Sequence, residues 1–253
     1  MEKYEHDIVK TMEIIDDSQK DEYANLFTSK SEGYSRIYPK SNEDLKTLFS
    51  GFDFEDKNVL SVLASSDQVF CSYYLGARSV DTFDLNFLAE HYYYLRKWLL
   101  EYKLEYYPDF KKYSSGSLWI RELLDMVECQ SVEEEITYKY WNLYNKKIGD
   151  FSHKTIFKFC DYDFSYDLIV DDVSKMRDLI KDKSLNFTQM DITGNIKKRK
   201  KYDVIILSNI LEYCSYELDR LERCRDNLFD MLEDGGEIIT SHLMDFATIP
   251  TES

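Results

Sequence analysis

Glycine and proline are scarce in this chain, with eight and three among 253 residues. Collagen-like and low-complexity classes depend on both residues and are excluded. Cysteine is nearly as rare. Its five copies, Cys71, Cys129, Cys160, Cys214 and Cys224, are odd in number, widely spaced and without a CxxC pair. A disulfide scaffold or thiolate zinc site needs a tighter pattern. No apolar run reaches the ~18 residues of a membrane span, and the opening MEKYEHDIVKTMEIIDD is too acidic and too broken for a signal peptide. The expectation is a soluble, cytoplasmic protein with buried or incidental thiols and no transmembrane segment. Positive charge is also short, with 32 Lys and Arg against 48 Asp and Glu for a net charge of −16. Clustered cations drive duplex binding through counterion release and recruit anionic membranes, so neither partner is expected.

Apolar residues make up 43% of the chain, enough for a core. Residues 1–50 read as an N-terminal helical and extended arm. Pro39 turns Tyr38 away from helix, and Ser41-Asn42-Glu43-Asp44 begins a helix with a Ser or Asn cap and an acidic first turn. Residues 51–253 read as an α/β domain. Asn58–Leu63 is a buried strand, followed by a helix over 66–75 that stops at Gly76. A second strand spans 79–84, and a long helix runs from Asn86 to Tyr107, where Pro108 ends it. Residues 109–182 break this rhythm and form a helical insertion, with helices near 117–129, 132–147 and 173–181. Strands resume at 186–190, at Tyr202–Leu207 and, after an Asp234-Gly235-Gly236 turn, at 237–241. A helix over 217–232 links the last two. The alternation βαβα predicts a parallel sheet.

Chemistry-bearing residues fall at the strand ends. The turn Ala64-Ser65-Ser66-Asp67 offers small side chains and helix N-terminal amides suited to a polar or anionic ligand, or else Ser66 is simply a helix cap. Asp84 lies twenty positions beyond Ala64. In doubly wound folds such an acid accepts hydrogen bonds from ribose hydroxyls; it can equally cap the next helix. Asp191, with Ile192, can receive the exocyclic amine of adenine or be a solvated loop acid. Ser208-Asn209 ends the most apolar strand, facing a ligand crevice or capping a helix.

These blocks, Val59-Leu-Ser-Val-Leu-Ala-Ser-Ser-Asp-Gln68, Val80-Asp-Thr-Phe-Asp84-Leu85-Asn86, Gln189-Met-Asp191, Tyr202-Asp-Val-Ile-Ile-Leu-Ser-Asn209 and Leu232-Glu-Asp-Gly-Gly-Glu-Ile-Ile239, resemble class I S-adenosylmethionine-dependent methyltransferases. The SSDQ turn, the Phe-Asp-Leu-Asn strand end and the Tyr-Pro arm look most like a bacterial branch near the diacylglycerol 3-amino-3-carboxypropyltransferases. The resemblance covers about 57–242, apart from the insertion. It implies a Rossmann-like, doubly wound, mostly parallel sheet of order 3-2-1-4-5 with the insertion between strands 2 and 3. It also implies S-adenosyl-L-methionine as cofactor, with transfer of a methyl or 3-amino-3-carboxypropyl group to a small molecule or lipid head group. In that scheme Ala64, Ser65, Ser66 and Asp67 line the methionine portion, and Asp84 holds the ribose with Leu85 and Asn86 beside it. Asp191 and Ile192 contact adenine, Ser208 and Asn209 face the sulfonium, and Tyr38 closes the pocket. The chain departs from the family by lacking the glycines of the first turn and the final antiparallel hairpin.

Other features read more plainly. Tyr92, Tyr93, Tyr94, Tyr102, Tyr106, Tyr107, Tyr138, Tyr140, Trp141 and Tyr144 form either helix-packing surface or an aromatic lid. Lys197–Lys201 reads as a solvated loop rather than a phosphate site. The four histidines have no metal-ligand spacing, so no metal is expected; His242, Glu212 and Tyr213 are candidate acid–base groups. Two other functions are compatible with the sequence: a non-catalytic binding protein that retains the fold, and a dinucleotide enzyme, against which the missing GxGxxG speaks.

Overall fold

The computed structural model describes residues 5–10, 41, 43–104, 135, 137–143, 172–196, 200–211 and 217–241. These residues belong to two compact units. One comprises residues 41, 43–63, 67–84 and those from 172 onward; the other comprises residues 5–10, 64–66, 85–104, 135 and 137–143.

The first unit is built on a five-stranded sheet of order β3-β2-β1-β4-β5, parallel throughout. The strands are β1 (Asn58–Val62), β2 (Ser79–Asp84), β3 (Asn186–Gln189), β4 (Tyr202–Ser208) and β5 (Leu232–Thr240). This is the α/β Rossmann-like arrangement expected from the sequence. The central strands are the apolar ones: Val59 in β1 and Ile205, Ile206 and Leu207 in β4 are fully enclosed. Continuous apolar runs suit strands covered on both faces. The edge strand β3 is short, polar and largely exposed. Helices α1 (Leu45–Leu48), α2 (Asp67–Tyr74), α4 (Val173–Ile180) and α5 (Leu218–Met231) belong to this unit, and α3 (Leu88–Tyr102) belongs to the second.

Helix α2 ends as the sequence predicts. Gly76 has φ +102°, and its N–H donates to the Tyr73 carbonyl while Ala77 N–H donates to Ser72. This is a Schellman cap, in which a left-handed residue satisfies the last carbonyls. The fifth strand differs from expectation. Pairing begins at Leu232 opposite Tyr202 and resumes at Glu237 opposite Val204, so the Asp234-Gly235-Gly236 turn is a bulge within β5. Gly235 takes φ +78°, and a Cβ on Gly236 would stand 2.9 Å from the Asp203 carbonyl oxygen. Only glycines allow that excursion so near β4. The first helix also begins later than expected. Asp44, rather than Ser41 or Asn42, caps α1, and its side chain accepts from Thr47 N–H; Asn42 lies outside the described residues.

The connection from β3 to β4, residues 190–201, carries no helix among the described residues, although parallel crossovers usually include one. A cleft of about 470 Å³ is lined by this connection, by β1–β4 and by the end of α5, with Leu60, Asp81, Phe83, Met190, Tyr202 and Met231 among its walls.

The second unit is centred on α3, which begins at Leu88 rather than Asn86. Tyr92, Tyr93, Trp98 and Leu99 are buried on it, as are Tyr140 and Trp141 of the helical residues 137–143 and Ile8 of the helical residues 5–10. His91 Nε2 lies 2.8 Å from Asp7 Oδ2. The His91 ring stacks on Tyr140 at 3.7 Å, and Trp141 Nε1 donates to the His91 carbonyl. Tyr92, Tyr93, Tyr140 and Trp141 are thus packing surface, whereas Tyr94 and Tyr138 are half-buried and Tyr102 is exposed; Tyr106, Tyr107 and Tyr144 lie outside the described residues. Cys71 and Cys224 are buried, and neither is in a disulfide. Among the described residues, no helix is long and apolar enough to cross a membrane.

Candidate functional site

Open α/β sheets present ligand sites beyond the carboxyl ends of their strands, at the point where strand order reverses. In an order of 3-2-1-4-5 that point lies between β1 and β4. Ser208, the last residue of β4, stands there with its side chain buried and φ +57°. Left-handed backbone at a non-glycine residue costs about 1–2 kcal/mol, and such strain gathers at functional sites. The Ser208 hydroxyl does not cap a helix. It donates to Glu43 Oε1 at 2.5 Å, and the same oxygen accepts from the Ser241 hydroxyl just beyond β5. The other oxygen, Oε2, accepts from Gln68 Nε2 at 3.1 Å, at the start of α2. Thus Glu43, expected in the first turn of a helix, instead sets its carboxylate at the switch point and is only 6% exposed.

The approach of Glu43 is locally directed. Ser41 N–H donates to Asp67 Oδ2 at 2.5 Å, and the Ser41 hydroxyl accepts from Glu43 N–H. Asp67 is itself fully buried at the first position of α2, where a negative side chain complements the helix dipole. Asp67 and Ser208 are candidates named from the sequence and Glu43 is not, because no local pattern distinguishes an acid that reaches across the sheet from one that serves its own helix.

Asp84 ends β2 and is half-buried, and its carbonyl accepts from Met190 N–H, which holds the end of β3 beside it. The N-cap residue of α3 is Phe87, which makes no side-chain cap hydrogen bond, and Asn86 Oδ1 accepts from Leu88 N–H at 3.0 Å. Leu85 is half-buried and Asn86 buried, both in the helical unit. That unit also holds Ala64, Ser65 and Ser66, the residues that follow β1. Ala64 has φ +42° and Ser66 φ +73°, so alanine and serine adopt left-handed conformations that glycine favours. The Ser65 carbonyl accepts from buried Arg96. Ser66 Oγ is buried with no hydrogen-bond partner among the described residues, so Ser66 is not a helix cap.

Asp191 is engaged by its own loop. Its Oδ1 accepts from Thr193 N–H and Oγ1 at 2.8 and 2.7 Å, and Oδ2 lies 3.5 Å from Arg220. Ile192 is buried, and its carbonyl accepts from Asn227 Nδ2 at 2.7 Å. Asn209 follows β4 and is half-buried. Tyr38, Glu212, Tyr213 and His242 lie outside the described residues. In the lysine run, Lys200 pairs with Asp81 at 2.8 Å and Lys201 donates to the Leu232 carbonyl, so both ammonium groups are tied to the fold. Among the described residues, no group of three or more His, Cys, Asp or Glu is arranged to hold a metal ion.

The cleft beside β2 has its own electrostatics. Burial raises the Asp81 carboxyl, but hydrogen bonds from Lys200, Asn186 and Tyr202 outweigh it and hold the group below the ordinary range. Burial, and then the neighbouring Asp81 charge, push the Tyr202 hydroxyl far above its usual value. Asn186, Lys200 and Tyr202 all hydrogen-bond to Asp81 there, whereas Gln68 Oε1 has no partner among the described residues. No family model matches this chain, and searches of curated proteins and of solved structures find no match.

Proposed function

We propose that the chain is a transferase that uses S-adenosyl-L-methionine, bound at the carboxyl ends of its strands. The carrying observation is the β1/β4 switch point, where buried Glu43 presents a carboxylate and Gln68 presents an acceptor oxygen with no partner among the described residues. Asp84, ending the neighbouring strand β2, is the acceptor-only group for the ribose diol. The residues present therefore fit a sulfonium nucleoside: anionic where the ligand is cationic and hydrogen-accepting where it has hydroxyls. Bound there, the sulfonium supplies an electrophilic carbon, and attack by the acceptor breaks one carbon–sulfur bond to leave a thioether. The chain's task is to orient the nucleoside and exclude water. The transferred group is methyl or 3-amino-3-carboxypropyl, and the acceptor is a small molecule or lipid head group.

Calorimetric titration of the full chain with S-adenosylmethionine, S-adenosylhomocysteine and NAD tests this reading. Saturable binding of the sulfur nucleosides and none of NAD is expected. Asp84→Ala should weaken the nucleoside by ~1–3 kcal/mol through lost charge-assisted hydrogen bonds. Absence of heat at millimolar nucleoside refutes the assignment.

A second reading, a non-catalytic binding protein, is favoured by one observation: the carboxylate of Asp191 is already occupied by Thr193 and Arg220. Mass analysis separates the two readings. Spent cofactor appearing as S-adenosylhomocysteine marks methyl transfer and methylthioadenosine marks aminocarboxypropyl transfer. Intact cofactor after incubation with candidate acceptors favours the binding protein.

A further inference from the structure

We propose that Glu43 is the counter-ion for a cationic group of the bound ligand, a primary ammonium or a sulfonium. The proposal rests on the transferase reading above and adds to it a residue that lies outside the strand-end motifs.

Three observations carry it. First, the carboxylate is buried, and its hydrogen-bond donors are all neutral: the hydroxyls of Ser208 and Ser241 and the amide of Gln68. Among the described residues no Lys, Arg or His pairs with it. A buried carboxylate without a cation is expensive, because neutral hydrogen bonds return only part of the lost hydration. Second, Gln68 is 1% exposed, and its Oε1 has no hydrogen-bond partner among the described residues. Turning that amide over would place two acceptors against each other, so the donor nitrogen faces Glu43 and the orphan oxygen stays beside it. The switch point thus offers a negative charge and an unused acceptor side by side. An ammonium supplies both a charge and N–H donors, whereas a sulfonium supplies the charge alone. Third, Ser208 holds a left-handed backbone while its hydroxyl reaches this carboxylate. The strain aims a β4 group at Glu43 rather than at a partner in its own strand.

The test is a three-ligand titration of the full chain and of Glu43→Gln, which keeps the shape and removes the charge. S-adenosylmethionine carries both cations, S-adenosylhomocysteine only the ammonium, and methylthioadenosine neither. Glu43→Gln is expected to weaken S-adenosylmethionine on the order of tenfold or more, as for loss of one member of a buried charge pair, and to leave methylthioadenosine unchanged. Weakened S-adenosylhomocysteine assigns the ammonium, and unchanged S-adenosylhomocysteine assigns the sulfonium. Equal changes for all three ligands, or no change for any, overturn the proposal while the transferase reading stands. Failure of the parent chain to bind any of them removes the transferase reading and the counter-ion with it. Should Glu43→Gln not fold, Gln68→Met removes the orphan acceptor and leaves the charge. Several-fold weaker S-adenosylmethionine with unchanged methylthioadenosine then supports the proposal, and unchanged affinities for all three ligands overturn it.

Discussion

Replacing Ser66 with glycine should make the ligand-free protein more stable and its nucleoside complex weaker. Ser66 combines φ +73° with a buried hydroxyl that finds no partner among the described residues. Glycine relieves a left-handed cost of about 1–2 kcal/mol and removes an unsatisfied polar group that costs ~1–3 kcal/mol. Against this stand glycine's extra unfolded-state freedom, ~0.5–1 kcal/mol, and the lost burial of one carbon, ~0.8 kcal/mol. The balance centres near ~2 kcal/mol in favour of the variant. For a chain of this length that is a rise of roughly 4–8 °C in Tm, readable by scanning calorimetry. The resemblance assigns Ser66 to the cofactor's methionine portion, so the thermal shift produced by S-adenosylhomocysteine should shrink in the same variant. Opposite signs for stability and binding are what a binding-site residue gives. A fall in ligand-free Tm of more than about 2 °C would show that the hydroxyl or the turn is structurally required. An undiminished ligand shift would remove Ser66 from the site.

Other expectations follow from single residues. Gly76→Ala places a side chain at φ +102° and a Cβ 2.1 Å from Glu55 Oε2. The Glu55 tip can move aside but the backbone cannot, so thermal unfolding should show a loss of about 1–2 kcal/mol; an unchanged Tm refutes the capping account. Asp81 has its carboxyl held low by Lys200, Asn186 and Tyr202 against the effect of burial. Its contribution is present above the ordinary carboxylate pKa and lost as pH falls through its depressed value. Asp81→Asn should therefore flatten the acid limb of a stability–pH curve below about pH 4; an unaltered limb shows that the cluster does not govern acid unfolding.

The sheet was legible because its strands are short apolar runs bounded by polar turns, and because strand, helix and strand repeat at βαβ spacing. Val204–Leu207 announces the centre of the sheet, and Asn186–Gln189 its edge. Gly76 was readable as a stop because a left-handed cap has few alternatives. The beginning of β5 was not, since Leu232 pairs across a four-residue bulge that looks like a turn in sequence. The candidate site was legible only where it is local. Asp84 and Ser208 are the last residues of their strands and could be placed by counting. Glu43 finds its donors 25, 165 and 198 residues away, and no periodicity encodes such distances. Nor did the sequence reveal that Ala64 and Ser66 take left-handed backbone, because the cost of that choice is conformational and leaves no compositional trace.

A crystal structure of the full chain grown with S-adenosylhomocysteine is the decisive measurement for the proposed transferase. Nucleoside density is expected beyond the carboxyl ends of β1, β2 and β4, with the ribose hydroxyls on Asp84 and the amino-acid portion toward Glu43 and Gln68. Density in the cleft beside Asp81 and Tyr202, or no nucleoside density anywhere, would contradict it.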